Sequence, residues 1–387
     1  MKPVKVAMIG VGCISGIYLK NLTTRFQNVE LIGVCDLVRE RAENAQRDYH
    51  IPKIYETMHD AFRDPEVEVV LNLTRPCEHF EVSKAALLAG KHVYSEKPLG
   101  ASLEEGKELV RIAGEKGLML GGAPDTFLGA GIQTARRLID AGFIGNVVGT
   151  AAFMICRGHE TWHPDPDFYY QYGGGPMMDM GPYYLTAMIN LAGGIESVTS
   201  ASKITFPRRV ITSQPLNGTP IDVHVNTYVA GTVKYTSGAI GTLFTTFDAC
   251  YPDQARFEVY GSEGTLFVPD PNTFGGPIRL FRPEDQVKLE AGDPALKGIL
   301  ADPYAGYKEV PLMFDYRENS RALGLSDMCK AIETGRQARC NYRQQHHVLE
   351  ILTGFEKSSR EGRYLPLKTR YERAKPMQNN PMHGILD

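Results

Sequence analysis

A short β-branched run, Val4–Ile9, ends on Gly10-Val11-Gly12, and apolar residues at Ile14, Ile17, Tyr18 and Leu22 follow at helical spacing. A strand that turns on glycine directly into a helix opens a βα unit, and the next parallel strand must then be reached by a right-handed crossover. The alternation persists. Val29–Cys35 reads as a second strand closing on Asp36, Arg39–Tyr49 as a charged helix, and Asp60–Arg63 as the end of a short helix before Pro65. Val67–Leu73 reads as strand, Phe80–Ala89 as a helix stopped by Gly90, His92–Tyr94 as strand, Leu103–Glu115 as helix and Leu118–Leu120 as strand. Such a series predicts a doubly wound, mostly parallel sheet with helices on both faces, over residues 1–122.

The pattern changes after Gly121-Gly122. A helix at Ala130–Ala141 gives way to longer alternating segments: Val147–Ile155, Val198–Phe206, His224–Tyr235, Ala239–Phe247 and Arg256–Tyr260. Glycine turns at Thr236-Ser237-Gly238 and Gly261-Ser262-Glu263-Gly264 join the later ones, which is the pattern of a meander. Helices near Ser320–Thr334 and Gln344–Glu361 follow. The expected organisation is an α+β domain with a largely antiparallel open sheet at 123–374 and an irregular tail at 375–387.

Gly10-Val11-Gly12-Cys13-Ile14-Ser15 lies where a dinucleotide fingerprint must lie, between strand and helix. Gly10 serves the tight turn, and Gly12 lets a pyrophosphate approach the backbone of Cys13, Ile14 and Ser15 at the helix N-terminus. Ser15 stands where the third glycine is usual, and alone the turn reads equally as an ordinary βα connection. Asp36 tips the balance. A carboxylate at the end of the second strand accepts from the ribose hydroxyls and repels a 2′-phosphate, which favours NAD over NADP. Arg39 nearby is expected to soften that preference.

Composition removes other classes. Forty-two basic and 45 acidic residues leave a net charge of −3, without the positive field that nucleic acid or an anionic membrane requires. Seven scattered cysteines without a CxxC pair read as reduced thiols. With no bilayer-length apolar run and no signal-peptide pattern at Met1-Lys2-Pro3-Val4-Lys5, the expected location is cytoplasmic.

Glu96-Lys97-Pro98 places an acid and a base just past a strand's carboxyl end, where open α/β sheets bind ligands. Pro98 restrains Lys97 to extended backbone, and a lysine beside nicotinamide can stabilise an alkoxide or relay its proton. Together with Val34-Cys35-Asp36, Leu73-Thr74-Arg75-Pro76, His79, Ala89-Gly90-Lys91-His92-Val93 and Gly173-Gly174-Gly175-Pro176-Met177-Met178-Asp179-Met180-Gly181, the chain resembles the Gfo/Idh/MocA oxidoreductases over nearly its whole length. The resemblance implies a Rossmann domain, with Thr74, Pro76 and His79 on the nicotinamide side, Glu96 at the nicotinamide ribose and Lys97 at the substrate hydroxyl. It implies Asp179 as the polar arm of the catalytic site and a homo-oligomer, dimer or tetramer. The family's histidine four residues after that aspartate is replaced by Tyr183. A tyrosine must ionise from about 10 before it can act as a base, so Tyr183 serves either in acid–base chemistry or as a donor only.

His159-Glu160-Thr161-Trp162-His163 spells the zinc-protease motif, but Gly158 and Pro164 disfavour the helix such a site needs, so no metal is expected. The loop 156–175 reads instead as a wall of the substrate pocket. Trp162, Tyr169, Tyr170 and Tyr172 offer flat faces for a sugar ring, while His159, His163 and Asp165 bind hydroxyls. His163 is the expected substitute for the missing base, and Asp125 is expected near the substrate. The reading is an NAD-dependent oxidoreductase acting on a secondary hydroxyl of a sugar, cyclitol or glycoside, with the 3-position of a glucoside suggested by resemblance. Two alternatives stay open: a glycosidase working by oxidation–elimination with bound NAD, and a non-catalytic NAD-binding regulator.

Overall fold

The computed structural model describes residues 2–250, 254–285, 306–378 and 386–387. The first sheet is built from β1 (Val4–Ile9), β2 (Val29–Cys35), β3 (Lys53–Ile54), β4 (Val69–Asn72), β5 (His92–Ser95) and β6 (Leu120–Gly122). Its order is β3-β2-β1-β4-β5-β6, with every pairing parallel. The order reverses between β1 and β4, and that switch point opens a crevice at the strands' carboxyl ends. Helices predicted from the 3.6-residue spacing lie at Ser15–Thr24, Arg39–Tyr49, His79–Leu88 and Leu103–Lys116.

The second sheet contains β7 (Val147–Ile155), β8 (Ile195–Lys203), β11 (Tyr228–Tyr235), β12 (Ile240–Thr246), β13 (Gln254–Gly261), β14 (Gly264–Val268), β15 (Ile278–Phe281), β16 (Lys308–Val310) and β17 (Leu365–Pro366). Its nine strands run β16-β15-β14-β13-β7-β12-β11-β8-β17, antiparallel except for the β7–β12 pair. A separate small hairpin pairs β9 (Arg208–Val210) with β10 (Pro220–Asp222). The helix Gly181–Ala192 was hidden in the sequence by its Gly-Pro opening, yet proline is at home in a first helical turn.

The helix Tyr342–Glu361 touches both sheets. Phe355 packs on β11, where a side chain at Gly231 would collide with its ring, and Leu349 fills the space left by Gly106 in the first domain. Its first turn and the segment before it cover the edge of β6: the Gly122 N–H donates to the Cys340 carbonyl at 3.1 Å, and Gln345 Nε2 donates to the Ala123 carbonyl at 3.0 Å. Residues 375–378 carry no regular structure. They are nonetheless held, with Met377 donating its N–H to Gln133 Oε1 at 2.8 Å. The rest of the expected irregular stretch, up to 385, lies outside the described residues.

Candidate functional site

A cleft of about 1710 Å³ runs from Asp36 along the strand ends to the loop around Trp162. At its start Gly10 has φ +95°, and a Cβ there would lie 2.8 Å from the Leu73 carbonyl group, so the turn and the end of β4 touch only because the residue is glycine. A Cβ on Gly12 would meet nothing within 4 Å, which leaves open the space that a pyrophosphate needs. The Ser15 hydroxyl closes the turn by donating to the Gly12 carbonyl at 2.7 Å. Cys13 is exposed and Ile14 half-buried, both on the cleft wall. Asp36 is oriented by its own backbone neighbours, accepting from the Val11 N–H at 2.7 Å and the Val38 N–H at 2.8 Å. These residues fit a dinucleotide with free ribose hydroxyls. Arg39 does not act as expected: its guanidinium is taken by Glu43 and Glu56. The arginine beside Asp36 in the lining is Arg41, at 4.0 Å.

Further along, Thr74 and Pro76 line the wall, and Thr74 Oγ1 donates to Asn72 Oδ1 at 2.7 Å. His79 is 1% exposed, with Nδ1 2.8 Å from the Pro98 carbonyl and Nε2 3.0 Å from the Thr74 carbonyl. Burial disfavours the charged ring, and a neutral ring donates to only one of these two carbonyls, so His79 sits between the loops after β4 and β5 bonded to one of them. Glu96 is buried, accepting from the Tyr18 hydroxyl at 2.7 Å and the Lys97 N–H at 3.0 Å. The Lys97–Pro98 peptide is cis.

Lys97 Nζ donates to Asp179 Oδ1 at 2.6 Å and to the Asp179 carbonyl at 2.7 Å. Burial opposes charge on both partners, but each holds the other ionised: Lys97 is pushed above its ordinary range, mainly by Asp179, and Asp179 is held far below its own by Lys97 and His159. His159 Nε2 lies 2.9 Å from Asp179 Oδ2, and Trp162 Nε1 lies 3.1 Å from His159 Nδ1. An indole nitrogen only donates, so Nδ1 is the acceptor and Nε2 carries the proton toward Asp179. All donors in this chain therefore point toward the carboxylate. Tyr183 is buried on the other side of Lys97, with Nζ 5.2 Å from its ring centroid and the Arg321 guanidinium 5.9 Å from it. Burial pushes the phenol above its usual value, and the two cations only partly offset this.

Three expectations about the wall are corrected. His163 lines the cleft as expected, but as the substitute base it is out of place, with no hydrogen bond to Lys97, Asp179 or Tyr183. It is 7% exposed, its Nδ1 accepts from the Asp165 N–H at 3.0 Å, and its ring is wedged against Trp162, Phe168 and Tyr169. Tyr170 is fully buried behind the loop, its hydroxyl bonded to Glu160, and Tyr172 points to solvent; neither lines the cleft. Asp125 also lies outside the lining. It is 1% exposed and accepts from the Gly324 N–H at 3.0 Å, because the helix Leu323–Thr334 begins there without a side-chain cap of its own. Asp165 faces the cleft but is paired with Arg75 at 2.9 Å. Of the zinc-like motif, His159 faces Asp179 while Glu160 turns inward to Arg209 at 2.5 Å. Arg321, Asp270 and Asn272 line the site without any local motif that announced them.

The model "Oxidoreductase family, NAD-binding Rossmann fold" matches residues 4–122, and the model "GFO/IDH/MocA C-terminal domain" matches residues 132–267. The chain is 28% identical to scyllo-inositol 2-dehydrogenase (NAD(+)) of Bacillus subtilis over 267 residues, covering 68% of this chain and 73% of that one. Similarity to inositol 2-dehydrogenase/D-chiro-inositol 3-dehydrogenase of Lactiplantibacillus plantarum is 34% over 149 residues, 36% of this chain and 41% of that protein. Among solved structures, levoglucosan dehydrogenase in complex with NADH and levoglucosan superposes with a TM-score of 0.77 at 19% identity, covering 95% of this chain and all of that one. At that identity the likeness concerns the fold.

Proposed function

The chain belongs to the Gfo/Idh/MocA family of NAD-binding oxidoreductases, and on that premise we propose that it oxidises or re-forms a secondary hydroxyl on a sugar, cyclitol or glycoside. The observation that carries this reading is the Lys97–Asp179 pair, part-buried in the same cleft that the glycine turn opens. On this reading residues 1–122 hold the cofactor, with Gly10, Gly12 and the Cys13–Ser15 backbone at the pyrophosphate and Asp36 selecting NAD over NADP. Residues 123–374 supply the substrate wall. When bound, the nicotinamide supplies the two-electron acceptor.

The remaining work falls to side chains of the chain itself. Lys97 is already protonated and held by Asp179, so it acts as a donor that steadies a developing alkoxide. It takes up no proton in the forward direction. His159 has neither nitrogen free, one giving its proton to Asp179 and the other receiving Trp162's, so it orients Asp179. Tyr183 is the group left to accept the hydroxyl proton, and its raised pKa makes oxidation an alkaline reaction. The open face of the second sheet exposes Val148, Tyr228 and Ile240, and we assign to it the self-association of the chain as a dimer or tetramer. No helix among the described residues is long and apolar enough to cross a membrane.

The test is reduction of NAD by purified protein in the presence of free sugars, cyclitols and glucosides, assaying the 3-position first. Absence of both reduced cofactor and keto product across the panel would overturn the proposal. Release of free sugar without net reduction would instead move it to the oxidation–elimination glycosidases.

A further inference from the structure

The outer end of the cleft extends past the acid–base groups to Arg157, Thr161, Trp162, Pro215 and Leu216. Building on the sugar-oxidoreductase reading, we propose that this wall is a second sugar subsite and that the substrate is a glycoside carrying a further pyranose ring stacked on Trp162.

Trp162 carries the argument. Its indole is 60% exposed although the side chain is fixed, with Nε1 donating to His159 Nδ1 and the ring set edge-on to His159 and His163. Its single polar atom is already used, so what it presents to the cleft is an apolar face without a donor. A rigid exposed aromatic plane loses little entropy on binding and matches the C–H face of a sugar ring. Its place is set by the hydrogen-bond chain: Asp179, then the His159 imidazole, then the indole. The platform therefore begins one ring beyond the groups that meet the reacting hydroxyl.

The opposite side is also built in advance. Leu216, 37% exposed, and Pro215 come from the β9–β10 hairpin, and that hairpin is clamped to the Trp162 loop. Arg209 donates to the Arg157 carbonyl at 3.0 Å, to Glu160, to the Phe247 carbonyl at 2.9 Å and to Asp248. The Thr212 and Ser213 N–H groups donate to the Glu160 carbonyl at 2.9 and 3.1 Å, and the Ser213 hydroxyl donates to the His163 carbonyl at 2.5 Å. A clamp of this kind, with the Arg209 cation buried to make it, keeps an exposed wall in one shape. Arg157 and Thr161 add polar groups for ring hydroxyls at the rim.

Trp162 is the only tryptophan of the chain, so its emission reports on this wall alone. The NAD-loaded protein is titrated with glucose, methyl glucoside and the disaccharides cellobiose, maltose and trehalose, reading tryptophan emission and NAD reduction in parallel. At least one disaccharide is expected to half-saturate the emission change at about one-tenth the glucose concentration, with kcat/KM higher by about the same factor. Read as kcat/KM, since no tryptophan remains in either variant, Trp162→Phe keeps that advantage within about threefold, and Trp162→Ala brings the disaccharide-to-glucose ratio to about one, whatever it does to the rate common to both. Equal half-saturation for glucose and every disaccharide, or an unchanged ratio in Trp162→Ala, would overturn the subsite. If disaccharides move the emission and none reduces NAD, the subsite stands and the oxidoreductase reading falls.

Discussion

Asp179 accepts hydrogen bonds from two directions, Lys97 Nζ and His159 Nε2, and its charge is what keeps Lys97 usable as a donor in a part-buried place. Removing Lys97's charge with Lys97→Met is expected to lower kcat/KM by about 10²–10⁴-fold while leaving NAD affinity within a few-fold, measured by steady-state kinetics and cofactor titration. The same change strands a buried carboxylate. The double variant Lys97→Met/Asp179→Asn should therefore melt at a higher temperature than Lys97→Met alone; a lower one would show that the pair is not coupled. The signs of the shifts confine pH effects to the extremes. Asp179, depressed, loses its contribution only in strong acid, and Lys97, raised, only in strong alkali, so neither titrates near neutrality. Tyr183 is raised as well, so oxidation by the wild type should quicken about tenfold per pH unit up to and beyond 10, and Tyr183→Phe should flatten that slope. At this scale the sequence was informative where a role is local. Lys97 and Asp36 follow directly from strand ends and short motifs. His159 was picked out for hydroxyl binding, but its engagement with Asp179 depends on how a loop folds over a helix end. Arg321 reaches the site from an irregular stretch before a helix, with no periodicity to mark it.

Elements were legible in proportion to their length and regularity. β1, β2, β7 and the helix Arg39–Tyr49 lie where the apolar spacing put them, whereas the two-residue β3, the β9–β10 hairpin and the late strands β14–β16 are too short or too mixed in composition to read. The helix Leu323–Thr334 shows why position alone misled for Asp125. The carboxylate caps a helix from far along the chain, accepting from Gly324 N–H. Burial raises its pKa to about 6, from 3.8. A carboxyl whose folded pKa lies above its unfolded one favours folding most when protonated, so its contribution falls as pH climbs from about 4 to about 6. Asp125→Asn keeps an acceptor and removes the charge. It should match the wild type near pH 4 and be more stable at pH 8, by up to about 3 kcal/mol, in thermal or urea unfolding. Asp125→Ala, which loses the cap, should cost about 1 kcal/mol near pH 4, where the wild-type carboxyl is largely neutral, and should show a gain at pH 8 smaller than that of Asp125→Asn by about the same amount.

Across the whole molecule, the nine-stranded sheet is covered on one side by the helix Tyr342–Glu361 and shows Val148, Tyr228 and Ile240 on its surface. Placing a charge there with Ile240→Lys is expected to shift sedimentation toward the monomer while leaving the melting of the isolated subunit nearly unchanged. A wild type that sediments as a monomer at micromolar concentration would remove the role assigned to this face. The passage from a parallel to a mostly antiparallel sheet was visible in the change of pattern after Gly122. That the last helices come back to the first sheet was not, because no residue spacing records which sheet a distant helix will cover. This return has a consequence for how the molecule is made. The edge of β6 is covered by Cys340 and Gln345, and Leu349 fills the gap at Gly106, so the first sheet to leave the ribosome stays without its cover until nearly all of the second domain has been synthesised. The nucleotide-binding sheet is translated ahead of the second sheet, yet both wait for the same late stretch of chain.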